Sequence, residues 1–285
     1  MFAILGGGRV SNYLNGLAHK RSIHVTNLSR RKNIYGNSII YKKIKEVRDI
    51  ILEENISHCV INWSITNPKS VKEIKRSVNA FINIGEFISN NPKVTFLFIS
   101  STSASSGLLG KTNYGISKRI GEKVFLKINT IRDFEHRVHV IRPGLIYGLN
   151  NCPIKRIINL YKLRLKFLPG SAESLFAVTS IKDLSEHILD SNSQFWNSEE
   201  TMNGFYERKP FSMQIIHSIC KKLIDHNTFP LSLTDKSTLY KIIRRIGAKI
   251  DLSLASTDRY PSIKTIKYEP ILSFENYLEN LCLNN

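Results

Sequence analysis

The sequence predicts an α/β fold: a doubly wound parallel sheet with a smaller, interleaved α/β unit. Three features carry that reading. An apolar opening run leads straight into a glycine turn and a helical stretch; later apolar runs end in small polar residues; and helical stretches separate them. Such alternation is the pattern that buries a parallel sheet between helices.

Met1-Phe2-Ala3-Ile4-Leu5 reads as a buried strand, and Gly6-Gly7-Gly8-Arg9-Val10-Ser11 follows it directly, ahead of a helix over residues 12 to about 20. Gly6 and Gly8 suit a tight turn through which a diphosphate reaches the backbone N–H groups at the helix start, with Arg9 and Val10 alongside. Ser11 stands where a G-x-G-x-x-G pattern has its last glycine. A second strand, residues 22–28, ends in Ser29-Arg30-Arg31 rather than in the acidic residue that accepts from a free ribose 2′-hydroxyl. Arg30 and Arg31 suit a 2′-phosphate, with a solvated basic turn as the plain alternative.

Residues 58–64, His58-Cys59-Val60-Ile61-Asn62-Trp63-Ser64, form a third strand, and residues 94–102 a fourth that closes on Ser100-Ser101-Thr102. Parallel strands present ligand-binding groups at such polar carboxyl ends. Tyr114 and Lys118 follow, twelve and sixteen residues after Thr102. Four apart on a helix, they share a face, so the Lys118 ammonium favours the ionised form of the Tyr114 phenol. A phenol, with an ordinary pKa of about 10, needs such a cation to serve as an acid or base near neutrality. The next strand, residues 138–148, carries Arg142-Pro143-Gly144 and ends at Tyr147-Gly148.

This ordered set resembles the extended branch of the short-chain dehydrogenase/reductase superfamily, the NAD(P)-dependent epimerase/dehydratase family that works on nucleotide-linked sugars. The resemblance covers nearly the whole chain: the turn at Gly6 to Ser11, Ser100-Ser101-Thr102, Tyr114 with Lys118, and Arg142-Pro143-Gly144. It extends to Val178-Thr179-Ser180-Ile181-Lys182-Asp183-Leu184 and Thr201-Met202-Asn203-Gly204. It implies a Rossmann-type domain over residues 1–148 and 176–198, and a substrate domain over 149–175 and 203–285. It also implies that Tyr114 exchanges a proton with a sugar hydroxyl or carbonyl while a hydride moves to or from a nicotinamide. Thr102 or Ser101 would hydrogen-bond the same oxygen, with Thr102 favoured by counting back from Gly107. Lys118 would hold the nicotinamide ribose. Gly6, Gly8, Arg9, Val10, Asn62, Trp63, Ser100, Pro143 and Gly144 would border the cofactor. Arg30 and Arg31 favour NADP, NAD being the alternative. A homodimer through the long helices of the nucleotide domain is expected by the same resemblance.

Several residues depart from the family pattern. Ser11 replaces a glycine, Asn62-Trp63-Ser64 replaces the small residues usual beside the cofactor, and the loop between Thr102 and Tyr114 is short. Ala172-Glu173-Ser174-Leu175-Phe176 stands where many relatives carry a basic residue for the substrate pyrophosphate. A sugar 4,6-dehydratase uses a carboxylate pair immediately after the catalytic hydroxyl residue; here Ser103 and Ala104 follow Thr102, which argues against dehydration. Reduction of a keto-sugar and epimerisation both remain, feeding a surface polysaccharide.

The chain has 285 residues and a formal charge of +18. That length buries a substantial core in one large domain or two intimate ones. Cys59, Cys152, Cys220 and Cys282 are far apart and show no metal-ligand spacing, so free thiols in a reducing compartment and no metal are expected. The five-residue apolar start is too short for a signal peptide and no stretch is long enough to span a bilayer, so a cytoplasmic protein is expected. Lys and Arg are spread along the chain; the densest runs, residues 42–45 and 241–245, read as solvated helix faces rather than a specific nucleic-acid patch. A non-catalytic cofactor- or RNA-binding protein on the same scaffold is the rival reading, but binding alone does not need Thr102, Tyr114 and Lys118.

Overall fold

The computed structural model describes residues 1–29, 38–40, 45–63, 70–105, 113–130, 137–149, 152, 154–155, 158–159, 167–169, 175–224, 231–233 and 265–283. Its elements run β1 (Phe2–Leu5), α1 (Arg9–Lys20), β2 (Val25–Ser29), β3 (Ser38–Ile40), α2 (Lys45–Glu53), β4 (His58–Ile61), α3 (Val71–Ser89), β5 (Thr95–Ile99), α4 (Asn113–Ile128) and β6 (Val138–Pro143). Then come β7 (Leu145–Tyr147), β8 (Phe167–Pro169), β9 (Leu175–Phe176), β10 (Val178–Ser180), α5 (Ile181–Leu189), α6 (Gln194–Asn197), β11 (Met202–Glu207), β12 (Phe211–Ser212), α7 (Met213–Ile224), β13 (Leu231–Leu233), β14 (Thr265–Tyr268) and α8 (Phe274–Leu283).

The first of two compact units comprises residues 1–143 and 181–204. Its sheet has the order β11-β6-β5-β4-β1-β2-β3, parallel from β6 through β3. The strand order reverses between β1 and β4, the switch point at which doubly wound sheets bind ligands beyond the strands' carboxyl ends. Alternate residues of each strand face opposite sides. Ala3, Leu5, Cys59, Ile61, Phe96, Phe98, Val138 and Val140 therefore form one core layer with Val47 and Ile51 of α2, Phe81 and Ile88 of α3, and Phe125 of α4. Phe81, Phe98 and Phe125 meet edge to face. On the other face α1 packs on α5, and the rings of Phe2, His58 and Trp196 of α6 meet, tilted for Phe2 against each of the others and edge-on between His58 and Trp196.

The second unit comprises residues 144–180 and 205–285. β7 pairs in parallel with β10, β8 in parallel with β13, and β9 antiparallel with β12. Its core gathers Tyr147, Phe176, Phe211, Ile216, Cys220, Phe274 and Leu278. Ser212 caps α7 as its position suggests, accepting from the Ile215 N–H at 3.3 Å. The Tyr147 hydroxyl is lodged between the Glu207 carboxylate and the Leu272 carbonyl.

The boundaries of these compact units differ by a few residues from the domain limits expected from sequence. Residues 144–148 and 176–180, assigned from sequence to the nucleotide domain, lie in the second unit because β7 and β10 pair with each other and Leu145 N–H donates to the Ala177 carbonyl at 2.8 Å. Asn203 and Gly204, assigned from sequence to the substrate domain, fall in the first unit, as do residues 199–202, which the sequence left unassigned. Cys59, Cys152, Cys220 and Cys282 are buried and form no disulfide among the described residues. Among the described residues no helix is long and apolar enough to cross a membrane, and no cluster of side chains has the makings of a metal site.

Candidate active site

Parallel register brings Leu5, Ile61, Phe98 and Val140 level across the sheet, so the residues that follow them emerge along one edge. After β5 the chain passes through Ser100 and Ser101 into a 3-10 turn, Thr102–Ala104. Ser101 spends its hydroxyl as the cap of that turn, accepting from Ser103 N–H at 3.1 Å. Ser100 is buried and donates its hydroxyl to Glu122 at 2.5 Å. The Thr102 hydroxyl makes no hydrogen bond among the described residues and is half-buried. Arg119 of α4 holds the turn from behind, its guanidinium donating to the Ala104 carbonyl at 3.0 Å and the Ser105 carbonyl at 2.6 Å.

Tyr114 and Lys118 lie on one face of α4, as their spacing requires, with the Lys118 Nζ 5.9 Å from the centre of the Tyr114 ring. Tyr114 is half-buried and Lys118 is 2 % exposed. The ammonium donates to the Ile99 carbonyl at 2.7 Å and lies 4.9 Å from the centre of the Phe98 ring. Burial strips its hydration and lowers its pKa to about 7, against an opposing pull from the Glu122 carboxylate. Glu122, one turn further along α4, accepts from both Nε and the terminal nitrogen of Arg142, at 2.7 and 2.6 Å. Neither Glu122 nor Arg119 is singled out by the sequence reading, and Arg142 enters it only as part of a motif. A signal existed: an arginine in the buried strand β6 and a glutamate on the apolar face of α4 each require a partner of opposite charge.

At the switch point, Gly6 adopts φ +135° and lies so close to β4 that a Cβ there would sit 2.4 Å from the Asn62 carbonyl oxygen. Only glycine is at ease in that conformation. Gly8 precedes α1 and accepts from Asn12 N–H through its carbonyl; no side chain caps the helix and its first turn carries no acidic residue. Its leading N–H groups, with Arg9 and Val10 as the first two helical residues, thus keep the anion-attracting character of a helix start. Ser11 has its own reason to replace glycine: it is fully buried and its hydroxyl accepts from Asn62 Nδ2 at 2.8 Å, tying α1 to the end of β4.

Other predicted residues fall elsewhere. Trp63 packs edge-on against Phe81, with ring centres 5.4 Å apart, at the margin of the core. Pro143 ends β6 and closes the first unit, whereas Gly144 opens the second. Gly144 donates its N–H to Thr179 Oγ1 at 2.8 Å, and a Cβ there would lie 2.4 Å from the Ala177 carbonyl oxygen, so close backbone packing accounts for this glycine. Arg30 and Arg31, and the loop residues 106–112, lie outside the described residues.

No protein-family model and no curated protein matches the chain in sequence. Several solved structures match it over nearly the whole of both chains. The dTDP-glucose 4,6-dehydratase of Bacillus anthracis, solved with NAD, is 14 % identical, with 99 % of this chain and 95 % of that chain covered at a TM-score of 0.69. The UDP-glucose 4-epimerase of Thermotoga maritima, solved with UDP-glucose, is 12 % identical, with 99 % and 97 % covered at 0.68. The chain has the fold of these enzymes. The L-threonine dehydrogenase of Phytophthora infestans shares it too, at 10 % identity, 100 % and 98 % coverage and a TM-score of 0.69. One scaffold therefore serves both sugar nucleotides and an amino acid, and residues at the site must decide between them.

Proposed function

We propose that the chain is an NAD(P)-dependent enzyme of the epimerase/dehydratase family, acting as a reductase or epimerase on a nucleotide-activated sugar. The observation that carries the reading is the buried Lys118 ammonium beside Tyr114, with Thr102, whose hydroxyl makes no hydrogen bond among the described residues, on a turn clamped to the same helix. A dinucleotide fits the Gly6–Gly8 turn, where the backbone is bare of side chains and the α1 N–H groups are unclaimed by a cap. When bound, the nicotinamide supplies the hydride donor or acceptor.

The protein's own work is positional and protonic. Tyr114 moves a proton to or from the substrate oxygen, Thr102 hydrogen-bonds that oxygen, and Lys118 supplies the nearby positive charge and a donor for the cofactor ribose. Ser100 is less suited to the role of Thr102 because its hydroxyl donates to Glu122, and Ser101 because its oxygen already accepts from the Ser103 N–H of its own turn. Arg30 and Arg31 favour NADP, whereas the dehydratase above was solved with NAD. Nucleotide sugar as substrate class rests on the motif resemblance and on neighbours such as the UDP-glucose epimerase. A surface polysaccharide as destination and a homodimer as assembly are extensions of it.

The test is a fluorescence titration of the purified protein with NADPH and NADH, followed by turnover assays with UDP-glucose and, as a control for the other neighbour chemistry, L-threonine. Tyr114→Phe is expected to retain cofactor affinity and lose turnover by orders of magnitude. Full turnover in that variant, or binding of neither cofactor by the wild type, would sink the reading. Turnover of L-threonine alone would keep the mechanism and replace the substrate class.

A further inference from the structure

Three buried charged side chains meet where α4 crosses the ends of β5 and β6, and their charges do not balance. Lys118 and Arg142 are the cations and Glu122 the anion. Arg142 engages both carboxylate oxygens, and Ser100 Oγ adds a third donor to Oε1. Lys118 turns instead to the carbonyl of Ile99, the residue before Ser100. Two consecutive residues at the end of β5 are thus gripped by two α4 side chains one turn apart. A buried ammonium whose direct partners are a carbonyl and ring faces sheds its proton readily unless an anion opposes the loss.

We propose that Glu122 is a positioning residue for the proposed reaction: its carboxylate, fixed by Arg142 and Ser100, keeps the Lys118 ammonium charged and aligned with the Tyr114 ring. The inference rests on the roles assigned above to Tyr114 and Lys118. Among the described residues, the charged or titratable groups around Lys118 are Tyr114 and Glu122 on α4 and, through Glu122, Arg142 on β6. β5 contributes the Ile99 carbonyl and the Phe98 ring, and α3 contributes the Phe81 ring behind Phe98. Burial lowers Lys118 and the pull of Glu122 opposes it, the two together leaving it at about 7, so loss of the Glu122 carboxylate favours the uncharged side chain at neutral pH.

The experiment follows the Lys118 side chain directly, so it needs no substrate. The full chain is labelled with 13C-lysine, the Lys118 Cε resonance is identified by its loss in Lys118→Arg, and its titration midpoint is measured in the wild type and in Glu122→Gln, with thermal melting to confirm folding. Glu122→Gln is expected to lower the midpoint by about one unit or more, a tenfold loss in proton affinity, and to shift the pH at which NADH binding weakens in the same direction. Arg142→Lys keeps the buried cation but releases one carboxylate oxygen, so its midpoint is expected at or above that of the wild type. An unchanged midpoint in Glu122→Gln, or a fall in Arg142→Lys, overturns the proposal. A midpoint that moves as expected in a protein that binds neither NADH nor NADPH supports the charge assignment to Glu122 and overturns the cofactor reading instead.

Discussion

Glu122 on α4 and Arg142 on β6 form a buried ion pair joined by two hydrogen bonds of 2.7 and 2.6 Å, with side chains 3 % and 10 % exposed. This contact locks the helix that carries Tyr114 and Lys118 onto the strand that ends at Pro143. Taking two charges out of water is costly, and their attraction roughly offsets that cost only while both partners stay. Removing one partner, as in Arg142→Leu, is expected to destabilise the chain by about 3–5 kcal/mol. Arg142→Leu combined with Glu122→Leu should recover part of the loss, because neither member of the pair is then left buried without its partner and Lys118, having lost the Glu122 carboxylate, can release its proton. Urea unfolding of the two single variants and the double variant measures the difference. A double variant less stable than either single one would mean that the pair contributes net stability of its own.

Lys118 makes folding stability depend on pH in a defined direction. Its pKa falls from 10.5 to about 7 on folding because burial penalises the charged form. Between those two values the unfolded chain holds a proton that the folded chain has released, so stability rises with pH across this window and is flat with respect to Lys118 below it. The measurement is the difference in unfolding free energy between wild type and Lys118→Met from pH 6 to pH 10, which cancels titrations common to both. The wild type should gain on the variant from pH 7 upward. A parallel pair of curves would place the folded pKa of Lys118 near its ordinary value.

Arg119 sits one residue after Lys118 and faces another task, since its guanidinium joins α4 to the turn that bears Thr102. Hydrogen bonds to charged groups contribute about 1.5–3 kcal/mol each when the partner is left buried, and less where water can replace the donor. Arg119→Ala is therefore expected to cost about 1–2 kcal/mol of stability and, by loosening Thr102 relative to Tyr114, to lower turnover by roughly 10²-fold. Cofactor affinity should change little. Recovery of turnover on adding guanidinium ion would tie the loss to the missing clamp; an equal loss of turnover and of NADPH affinity would point to a general disturbance of α4.

What the sequence made legible was local. The strand, glycine turn and helix from Phe2 to Lys20 follow from residue type within one short window, and so does the shared face of Tyr114 and Lys118. The α3 helix carries a local signal as well: Ser70, its N-cap, accepts from the N–H of Glu73 three residues on. Pairings across the chain were hidden. Ser11 meets Asn62 only because β1 and β4 are neighbours, Glu122 meets Arg142 only because α4 crosses β6, and Gly144 is required only because β7 lies against Ala177. The choice between Ser101 and Thr102 shows the same limit. Spacing leaves both open, and the hydrogen bond that Ser101 Oγ accepts from Ser103 N–H is visible only in the folded turn.

Gly6 offers the sharpest separation of cofactor binding from catalysis. At φ +135° a side-chain-bearing residue is strained by of order 1–3 kcal/mol, and its Cβ would press on the Asn62 carbonyl at 2.4 Å. Relief requires β1 and β4 to part at the switch point, which would also pull Asn62 Nδ2 from Ser11 and tilt the start of α1. Gly6→Ala is accordingly expected to lower stability by about 2–4 kcal/mol and to weaken NADPH or NADH binding at least tenfold. Lys118, Glu122 and Arg142 lie on other elements, so the Lys118 titration midpoint should stay where it is in the wild type. Isothermal titration with each cofactor, beside the unfolding curve, checks both halves. Undiminished affinity in a destabilised Gly6→Ala protein would mean that the turn holds β1 to β4 without cradling a diphosphate, and the cofactor site would have to be sought elsewhere.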